Sequence, residues 1–245
     1  TYPMVSQASL DGCLMAVDST SMGLANPLSP ELAFMRPSLL PSLLQICQHH
    51  HARQQRDCAF FEVGTAFSPD QEDQVCAFML TGNFFESAST ASQRDVNALL
   101  NQHCQGLFSQ WLAFAKLSVR VDRTDLDNWA HPVQSQAVFL GQKKIGTIGL
   151  IHPKVSAAFG ITEPVAYCEI SLRACVERPR EMPRYMPFSS FPHTRRDMAC
   201  LVPHELAYSE IKAIIDKCRH KTVIDVGVFD VFVCFDWILN FVERF

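Results

Sequence analysis

The residues best placed to do chemistry lie in one stretch, residues 145–155, which reads IGTIGLIHPKV. Gly146 and Gly149 stand three residues apart in an apolar run, and a strand usually keeps glycine where a ligand or another backbone comes close. Pro153 suits the first turn of a helix, where its missing N–H is not needed. A glycine-marked strand that leads into a helix opens the site of several nucleotide-binding folds. Gly146, Gly149 and His152 therefore form a predicted nucleotide-like pseudo-site, the wall of such a site without its chemistry.

The charges that would accompany a bound phosphate are missing from this stretch. No cationic side chain stands beside the glycines, although a phosphate site needs fixed positive charge. We expect Lys143 and Lys144, in the preceding turn, to be solvent-exposed charges. His152 is either a general base or the cap of the helix that begins at Pro153.

Histidines and cysteines do not have the spacing of a metal site. His49, His50 and His51 are consecutive, and adjacent helical residues point in different directions, so the three do not converge on one ion. None of the ten cysteines belongs to a Cys-x-x-Cys pair, the spacing of zinc ribbons and redox dithiols. We therefore expect no metal and a set of reduced core cysteines, as in a cytoplasmic protein.

Three arginines are candidates for contact with anions. Arg36 precedes a predicted helix, where it is either an anion ligand or half of a structural ion pair. Arg195 and Arg196 stand at the start of a predicted strand. The simplest interpretation there is a local ion pair between Arg196 and Asp197, and the functional alternative is a contact with a phosphate or base of RNA.

Length and composition limit the class of protein. The chain has 245 residues, 48% of them hydrophobic, which is enough for one large domain or two smaller ones. Its formal net charge is -4, so an interface with nucleic acid has to be a local basic patch. No apolar run reaches the roughly 18–20 residues of a membrane span, so we expect no membrane association.

Hydrophobic periodicity predicts the elements that position these residues. The predicted elements are a short strand in residues 1–10, a helix over 37–53 capped by Ser38, hairpin strands over 58–67 and 74–80 joined by a polar turn at 70–73, a helix around 96–107, and strands over 117–121, 136–140, the glycine stretch and 165–172. Strands in close succession with inserted helices indicate an α+β domain, residues 1–176, with a mainly antiparallel sheet.

Composition changes after residue 176. Residues 177–186 are charged and interrupted by proline, which predicts a linker. Residues 187–232 follow with a strand over 196–202, a helix over 207–217 and a strand over 222–232, and so predict a β-α-β module. The apolar and aromatic residues 233–245 either cover that module as a helix or are an unrelated extension.

Seven short motifs follow one another in the order found in one family. The motifs are NPLS at 26–29, MRPSLLPSLL at 35–44, FEVG at 61–64, HP at 131–132, IGTIGLIHP at 145–153, FPHTRRD at 191–197 and VFDVF at 228–232. Together they resemble the C-terminal part of the β subunit of bacterial-type phenylalanyl-tRNA synthetase. The resemblance ends near Phe232.

The resemblance implies a class II synthetase-like, non-catalytic core over 1–176 and an incomplete ferredoxin-like anticodon-binding domain over 187–232, with 233–245 as a tail outside the family pattern. The family's active relatives place one arginine just after the first strand of the hairpin and another beside the later glycines. Here residues 63–70 contain no arginine and end on Asp70, while Leu150 and Ile151 stand at the second place. The loss of two cations that would stabilise the transition state argues against turnover.

The resemblance also implies a function and partners. The chain would be a portion of phenylalanine–tRNA ligase that supports assembly with the catalytic α subunit, in a cytoplasmic heterotetramer of two α and two β subunits that aminoacylates tRNA(Phe). ATP and Mg²⁺ are then expected at the partner α subunit, no cofactor is expected in this chain, and Arg195 and Arg196 are the expected tRNA contacts. Two alternatives stay open: a freestanding tRNA-binding or protein-interaction module, and an independent ligase with an unconventional site.

Overall fold

The chain divides into two compact units, Thr1–Met182 and Pro183–Phe245, in the computed structural model. The structure describes residues 1–16, 22–82, 93–177, 185, 192, 194–203, 206, 208–218, 220, 222–223, 225–230 and 237–244. No helix within these ranges is both long enough and apolar enough to cross a membrane.

The first unit alternates strands with helices. Its strands are β1 (Met4–Val5), β2 (Phe34–Met35), β3 (Cys58–Ser68), β4 (Gln71–Thr81), β5 (Arg120–Asp122), β6 (Ala130–Leu140), β7 (Lys143–Ile151) and β8 (Val165–Ser171). Its helices are α1 (Gln7–Gly12), α2 (Leu40–His51), α3 (Gln93–Ala115), α4 (Pro153–Ala158) and α5 (Leu172–Val176), with a 3₁₀ turn at Pro30–Leu32.

Six of these strands form one antiparallel sheet in the order β3-β4-β8-β7-β6-β5, while β1 pairs separately with β2. The predicted α+β class with an antiparallel sheet is confirmed. Helix α2 packs on one face, where Leu43 and Cys47 are buried with Met79 of β4. Helix α3 packs on the other face, where Leu100 and Cys104 join a second core. The central strands are therefore covered on both sides.

The β3–β4 hairpin is longer than its apolar pattern predicts. The ladder runs without interruption from Cys58 opposite Thr81 to Ser68 opposite Gln71. Only Pro69 and Asp70 form the turn, so the predicted polar turn over 70–73 is wrong for the residues after Asp70. Polar residues are accepted at this end because their side chains are exposed or half-buried while the backbone stays paired.

The short strand predicted within residues 1–10 is present only at Met4–Val5, and helix α1 follows it from Gln7. The Oγ of Ser6 accepts a hydrogen bond from the Ser9 N–H at 3.1 Å and so caps α1. Helix α2 begins at Leu40, and its N-cap residue is Leu39 instead of the predicted Ser38. The Oγ of Ser38 still accepts a hydrogen bond from the Leu40 N–H at 3.0 Å. Pro41 falls in the first turn of α2, where proline is tolerated.

The second unit is built from strand β9 (Arg195–Pro203), helix α6 (Tyr208–Cys218), strand β10 (Asp225–Asp230) and strand β11 (Trp237–Arg244). These strands form an antiparallel sheet in the order β10-β11-β9. Ile211 of α6 is buried against Cys200 and Val202 of β9. The helix considered for the tail is therefore wrong for 237–244, which form the central strand because β9 and β10 each offer an edge that needs a partner.

Candidate functional site

A large cleft of the first unit lies against strands β4, β7 and β8 and has a volume of about 980 Å³. Its apolar wall comes from the N-terminal residues, and its polar wall from the sheet and the loop before β6. The polar and charged lining residues are Ser38, Ser68, Asp70, Gln71, Asp73, Asp127, Asn128, Lys143, Lys144, Thr147, Glu169 and Ser171.

The carboxylate of Glu169 is fixed by the protein itself. Its Oε2 accepts hydrogen bonds from the Ser38 hydroxyl and the Leu39 N–H, both at 2.9 Å, and from the Tyr167 hydroxyl. Burial raises the pKa of Glu169, against the opposite effect of these hydrogen bonds. Burial and the neighbouring Glu169 also raise the pKa of Tyr167 well above its usual value. Glu169 thus joins strand β8 to the start of helix α2.

A second carboxylate, Asp127, is held by two partners from β7. Its Oδ2 accepts a hydrogen bond from the Thr147 hydroxyl at 2.6 Å, and its Oδ1 lies 3.1 Å from Nζ of Lys144. The Lys144 ammonium also donates to the carbonyl oxygen of Asp125 at 2.6 Å. Lys143 is exposed as predicted, but Lys144 is tethered to this loop, so the prediction of a free solvent charge was wrong for Lys144.

The charge balance of the cleft is unfavourable for a polyphosphate. Its lining residues include four carboxylates, those of Asp70, Asp73, Asp127 and Glu169, against the two amines of Lys143 and Lys144. Lys144 is already engaged, and no arginine is among the described residues that line the cleft. A triphosphate would therefore meet more negative than positive charge here.

The three residues predicted as a nucleotide-like site are not brought together. Gly146 lines the cleft, whereas Gly149 and His152 are not among its lining residues. A Cβ added to Gly146 would overlap the carbonyl oxygen of Glu169 in the neighbouring strand. A Cβ added to Gly149 would overlap the backbone of Gln134 and Ser135, and Gly149 has φ +142. Both glycines are therefore required because the backbone of a neighbouring strand packs where a side chain would lie.

His152 caps helix α4, the structural one of its two predicted roles. Its Nδ1 accepts a hydrogen bond from the Lys154 N–H at 3.1 Å. The other His-Pro pair behaves alike, because Nδ1 of His131 accepts bonds from the N–H groups of Val133 and Gln134, both at 3.2 Å. Burial and the nearby His152 lower the pKa of His131.

Arg36 forms a structural ion pair, with Nη1 2.9 Å from Oε1 of Glu62. On strand β9, the ion pair is Arg195 with Asp197 at 3.5 Å, so the predicted pairing of Arg196 with Asp197 was wrong. Alternate residues of a strand share a face and adjacent residues do not, which explains the shift by one position. Arg195 and Arg196 are both exposed.

The three consecutive histidines contact different partners. Nδ1 of His50 lies 2.7 Å from Oε1 of Gln55, Nδ1 of His51 lies 3.2 Å from Oε2 of Glu163, and His49 contacts Arg53. The nine cysteines in the described ranges are free thiols. Burial raises the pKa of Cys104 to about 12, and of Cys47 to about 12 with help from Cys58 and Glu163, so these thiols stay protonated and unreactive.

Sequence reasoning missed the network around Glu169. A carboxylate inside the apolar strand VAYCEI was a usable signal, because a charge in a buried strand needs partners. Those partners could not be read from the sequence, since Ser38 lies 131 residues away. Asp127 stands in a polar loop and gave no comparable signal.

Comparison with solved structures identifies the fold. Two structures of pyrrolysyl-tRNA synthetase from Desulfitobacterium hafniense align with TM-scores of 0.52 and 0.54, each covering 72% of this chain and respectively 60% and 58% of the other. Both are 14% identical in sequence, so they are similar in fold alone. The antiparallel sheet with its flanking helices is thus a class II tRNA synthetase-like fold.

Comparison with sequences identifies the family. Residues 1–172 match the phenylalanyl tRNA synthetase beta chain CLM domain, and the chain belongs to that family. The phenylalanine–tRNA ligase beta subunit of Idiomarina loihiensis is 30% identical over 236 residues, covering 90% of this chain and 28% of that protein. The beta subunit of Xylella fastidiosa is 31% identical over 222 residues, covering 86% and 27%. The chain therefore spans little more than a quarter of these curated relatives.

Proposed function

We propose that this chain is a non-catalytic β-subunit portion of phenylalanine–tRNA ligase that supports assembly with the catalytic α subunit. In this proposal the assembly is a cytoplasmic heterotetramer of two α and two β subunits, tRNA(Phe) is the nucleic-acid partner, and ATP and Mg²⁺ bind at the α subunit. The observation that carries it is a synthetase-like cleft whose described lining residues include no arginine.

The contacts of the cationic side chains near the cleft support the absence of catalytic activity. Adenylate formation needs preorganised cations aimed at the phosphates in the transition state. Arg36 is buried against Glu62, and Lys144 is held by Asp127. Lys143 is exposed, and the lining of the cleft also contains the carboxylates of Asp70 and Glu169. A ligase with this cleft would lack the electrostatic stabilisation on which the reaction depends.

The second unit supports a role next to RNA. A strand, a helix, a second strand and a third strand inserted between the first two follow the order of the first four elements of a ferredoxin-like β-α-β-β-α-β module. Arg195 and Arg196 are exposed on β9 and stand on opposite faces. We assign this unit to an incomplete anticodon-binding module, with these arginines as its candidate phosphate contacts.

Two measurements test the proposal. The purified chain is mixed with the α subunit of phenylalanine–tRNA ligase from the same organism and run by size exclusion; we expect one peak that contains both. The chain alone should show no phenylalanine-dependent exchange of pyrophosphate into ATP. Two separate peaks would count against the assembly role. Pyrophosphate exchange by the chain alone would refute the claim that the cleft is non-catalytic.

A freestanding tRNA-binding module is the second candidate, and the exposure of Arg195 and Arg196 favours it. It predicts binding of tRNA without the α subunit, with an affinity that falls as salt rises. Each phosphate contact removed should reduce the slope against log salt by about 1. Arg195→Ala and Arg196→Ala are the test variants, with Lys154→Ala in the first unit as control. A flat binding curve at low salt would eliminate this candidate.

A further inference from the structure

Two carboxylates lie near one another in the cleft, and only one of them has a cation beside it. Glu169 on β8 stands directly opposite Thr147 on β7, and the Thr147 hydroxyl donates to Asp127 at 2.6 Å. Asp127 is paired with Lys144 at 3.1 Å. None of the ion pairs among the described residues includes Glu169, although it lines the same cleft.

The two oxygens of the Glu169 carboxylate differ in their contacts. Oε2 accepts hydrogen bonds from the Ser38 hydroxyl and the Leu39 N–H, both at 2.9 Å, and from the Tyr167 hydroxyl. Oε1 accepts none from the described part of the chain, and it is not among the buried atoms that lack a partner there. Since Glu169 lines the cleft, Oε1 is the oxygen that a ligand can reach.

The negative charge of Glu169 is poorly compensated by the protein. Burial and the nearby charge of Asp127 raise the pKa of Glu169, against the opposite effect of the hydrogen bonds to Oε2. A carboxylate that is removed from water without a counterion costs free energy, and a cation within about 4–6 Å favours its ionised form. A ligand with one positive charge would therefore supply the counterion that the described residues do not provide.

The apolar wall of the cleft suits a hydrocarbon group. Methionine side chains adapt to apolar groups of irregular shape, and three of them belong to this wall. At about 980 Å³ the cleft is near the upper end of the range for sites of small organic ligands, roughly 300–1,000 Å³. The apolar side chains contributed by the N-terminal residues are Leu10, Leu14, Met15, Met22 and Met35.

We propose that this cleft binds a small organic cation, a primary amine with an apolar body, whose ammonium group donates to Oε1 of Glu169. Such an amine is protonated at neutral pH, since its pKa is close to that of lysine, roughly 10. The apolar body packs on the methionine-containing wall, while Asp127 and Lys144 stay paired. Lys143, exposed in the lining, carries the same charge as the ligand and weakens its binding.

Three probes with the same hydrocarbon chain test the sign of the charge that the cleft accepts. Hexylamine, hexanol and hexanoate are titrated separately into the full chain, whose methionines carry ¹³C-labelled methyl groups for NMR. Hexylamine should shift the signals of Met15, Met22 and Met35 and should bind roughly tenfold or more tightly than hexanol, because it adds a charge-assisted hydrogen bond. Hexanoate should not bind. The measurement needs neither the α subunit nor RNA, so its result is independent of the proposed assembly role.

Two variants separate a binding role of Glu169 from its structural role. Glu169→Gln keeps an oxygen that can accept the bonds from Ser38 and Leu39 but loses the charge, and should weaken hexylamine binding by roughly tenfold. Lys143→Ala removes a like charge and should strengthen binding by roughly two- to threefold, a modest change because exposed charges are screened. Lys154→Ala, exposed outside the cleft, is the control and should bind hexylamine like the unmodified chain.

Circular dichroism checks that every variant is folded, and the probe series with Lys143→Ala decides the question if Glu169→Gln is not. Equal affinity for hexylamine and hexanol overturns the proposal, because the charge then contributes nothing. Hexylamine binding that a folded Glu169→Gln leaves unchanged overturns it as well. A capped lysine tripeptide is the last probe: if it bound tenfold more tightly than hexylamine, the cleft would accept a side chain of another polypeptide, and a small-molecule ligand would be refuted.

Discussion

Arg36 and Glu62 form an ion pair inside the first unit, with Nη1 of the arginine 2.9 Å from Oε1 of the glutamate. The two side chains are only 5% and 15% exposed. The same guanidinium donates through Nε to the carbonyl of Thr65 in strand β3, and through Nη1 to the carbonyl of Tyr2 at 3.3 Å. Arg36 directly precedes the cleft residues Pro37 and Ser38 in sequence. Its guanidinium is nevertheless bound to β3 and holds Arg36 against the sheet.

Replacement of Glu62 should leave a buried charge without its partner. We expect Glu62→Ala to lower the free energy of unfolding by about 3–5 kcal/mol, whereas Arg36→Met combined with Glu62→Leu should recover much of that loss. Urea denaturation followed by tryptophan fluorescence measures both. The control Lys154→Ala, at an exposed position, should stay within about 0.5 kcal/mol. A loss below about 1 kcal/mol for Glu62→Ala would mean that water solvates the arginine.

The two glycines of β7 should be intolerant of a side chain for steric reasons. Alanine at Gly146 would collide with the Glu169 carbonyl, and alanine at Gly149 would collide with the backbone of Gln134 and adopt an unfavourable φ of +142. Each change should cost about 3 kcal/mol or more. Gly106→Ala on α3 is the matched control: nothing lies within 4 Å of its added Cβ, and alanine favours a helix by up to about 1 kcal/mol.

A ligand-binding role for these glycines would give a different result. If Gly146→Ala left the free energy of unfolding unchanged but altered assembly with the α subunit, the glycine would be required at an interface instead of inside the sheet. Urea titration of both variants beside Gly106→Ala separates the two explanations.

Local patterns predicted the parts of the fold that local physics determines. The pairing of β3 with β4 follows from the local residue pattern, and it is observed. The hydrogen bond from the Leu40 N–H to Ser38 likewise reflects the serine at the start of α2. Strand β11 was not foreseen, because the reason for its conformation lies in two strands that precede it in the chain. The secondary structure of this tail can be assigned only when the strands with which it pairs are known.

The sequence predicted which cations the candidate site lacks, but it did not predict most of the side-chain pairs that the site contains. The missing cations at 63–70 and 150–151 are visible in the sequence. The pairing of Lys144 with Asp127 and the bonds from Ser38 to Glu169 depend on the strand register, which a single sequence does not give. The shift of the ion pair from Arg196 to Arg195 was accessible, since a strand places residues two apart on one face.

His152 should matter for stability more than for chemistry. Its Nδ1 satisfies the Lys154 N–H at the start of α4, and loss of such a cap costs about 0.5–2 kcal/mol. His152→Ala should therefore lower the free energy of unfolding by that amount, and His152→Asn should restore most of it because the amide oxygen can accept the same bond. If neither variant changed stability but both reduced aminoacylation by the assembled ligase, a chemical role for His152 would be indicated.

Two glutamates, Glu169 and Glu163, should change the pH dependence of the free energy of unfolding of the first unit in opposite directions. Burial raises the pKa of Glu169 above its usual 4.5. Burial alone would also raise that of Glu163, but hydrogen bonds from Thr162 and its backbone, with the charges of Arg56 and His51, lower it below 4.5. Between pH 4.5 and its folded pKa, native Glu169 binds more protons than the unfolded chain, so stability falls as pH rises. Native Glu163 binds fewer in the window just below 4.5, so stability falls as pH drops.

Glutamine at each position should cancel the corresponding slope. Relative to the unmodified chain, Glu169→Gln should gain stability as pH rises above 4.5, whereas Glu163→Gln should be less stable above 4.5 and converge with it as pH falls through the folded pKa of Glu163. Urea unfolding at a series of pH values measures both slopes, and Lys154→Ala serves as a control that does not titrate in this range. Parallel pH profiles for Glu169→Gln and the unmodified chain would show that the carboxylate keeps an ordinary pKa, and hence that the floor of the cleft is wetter than its contacts indicate.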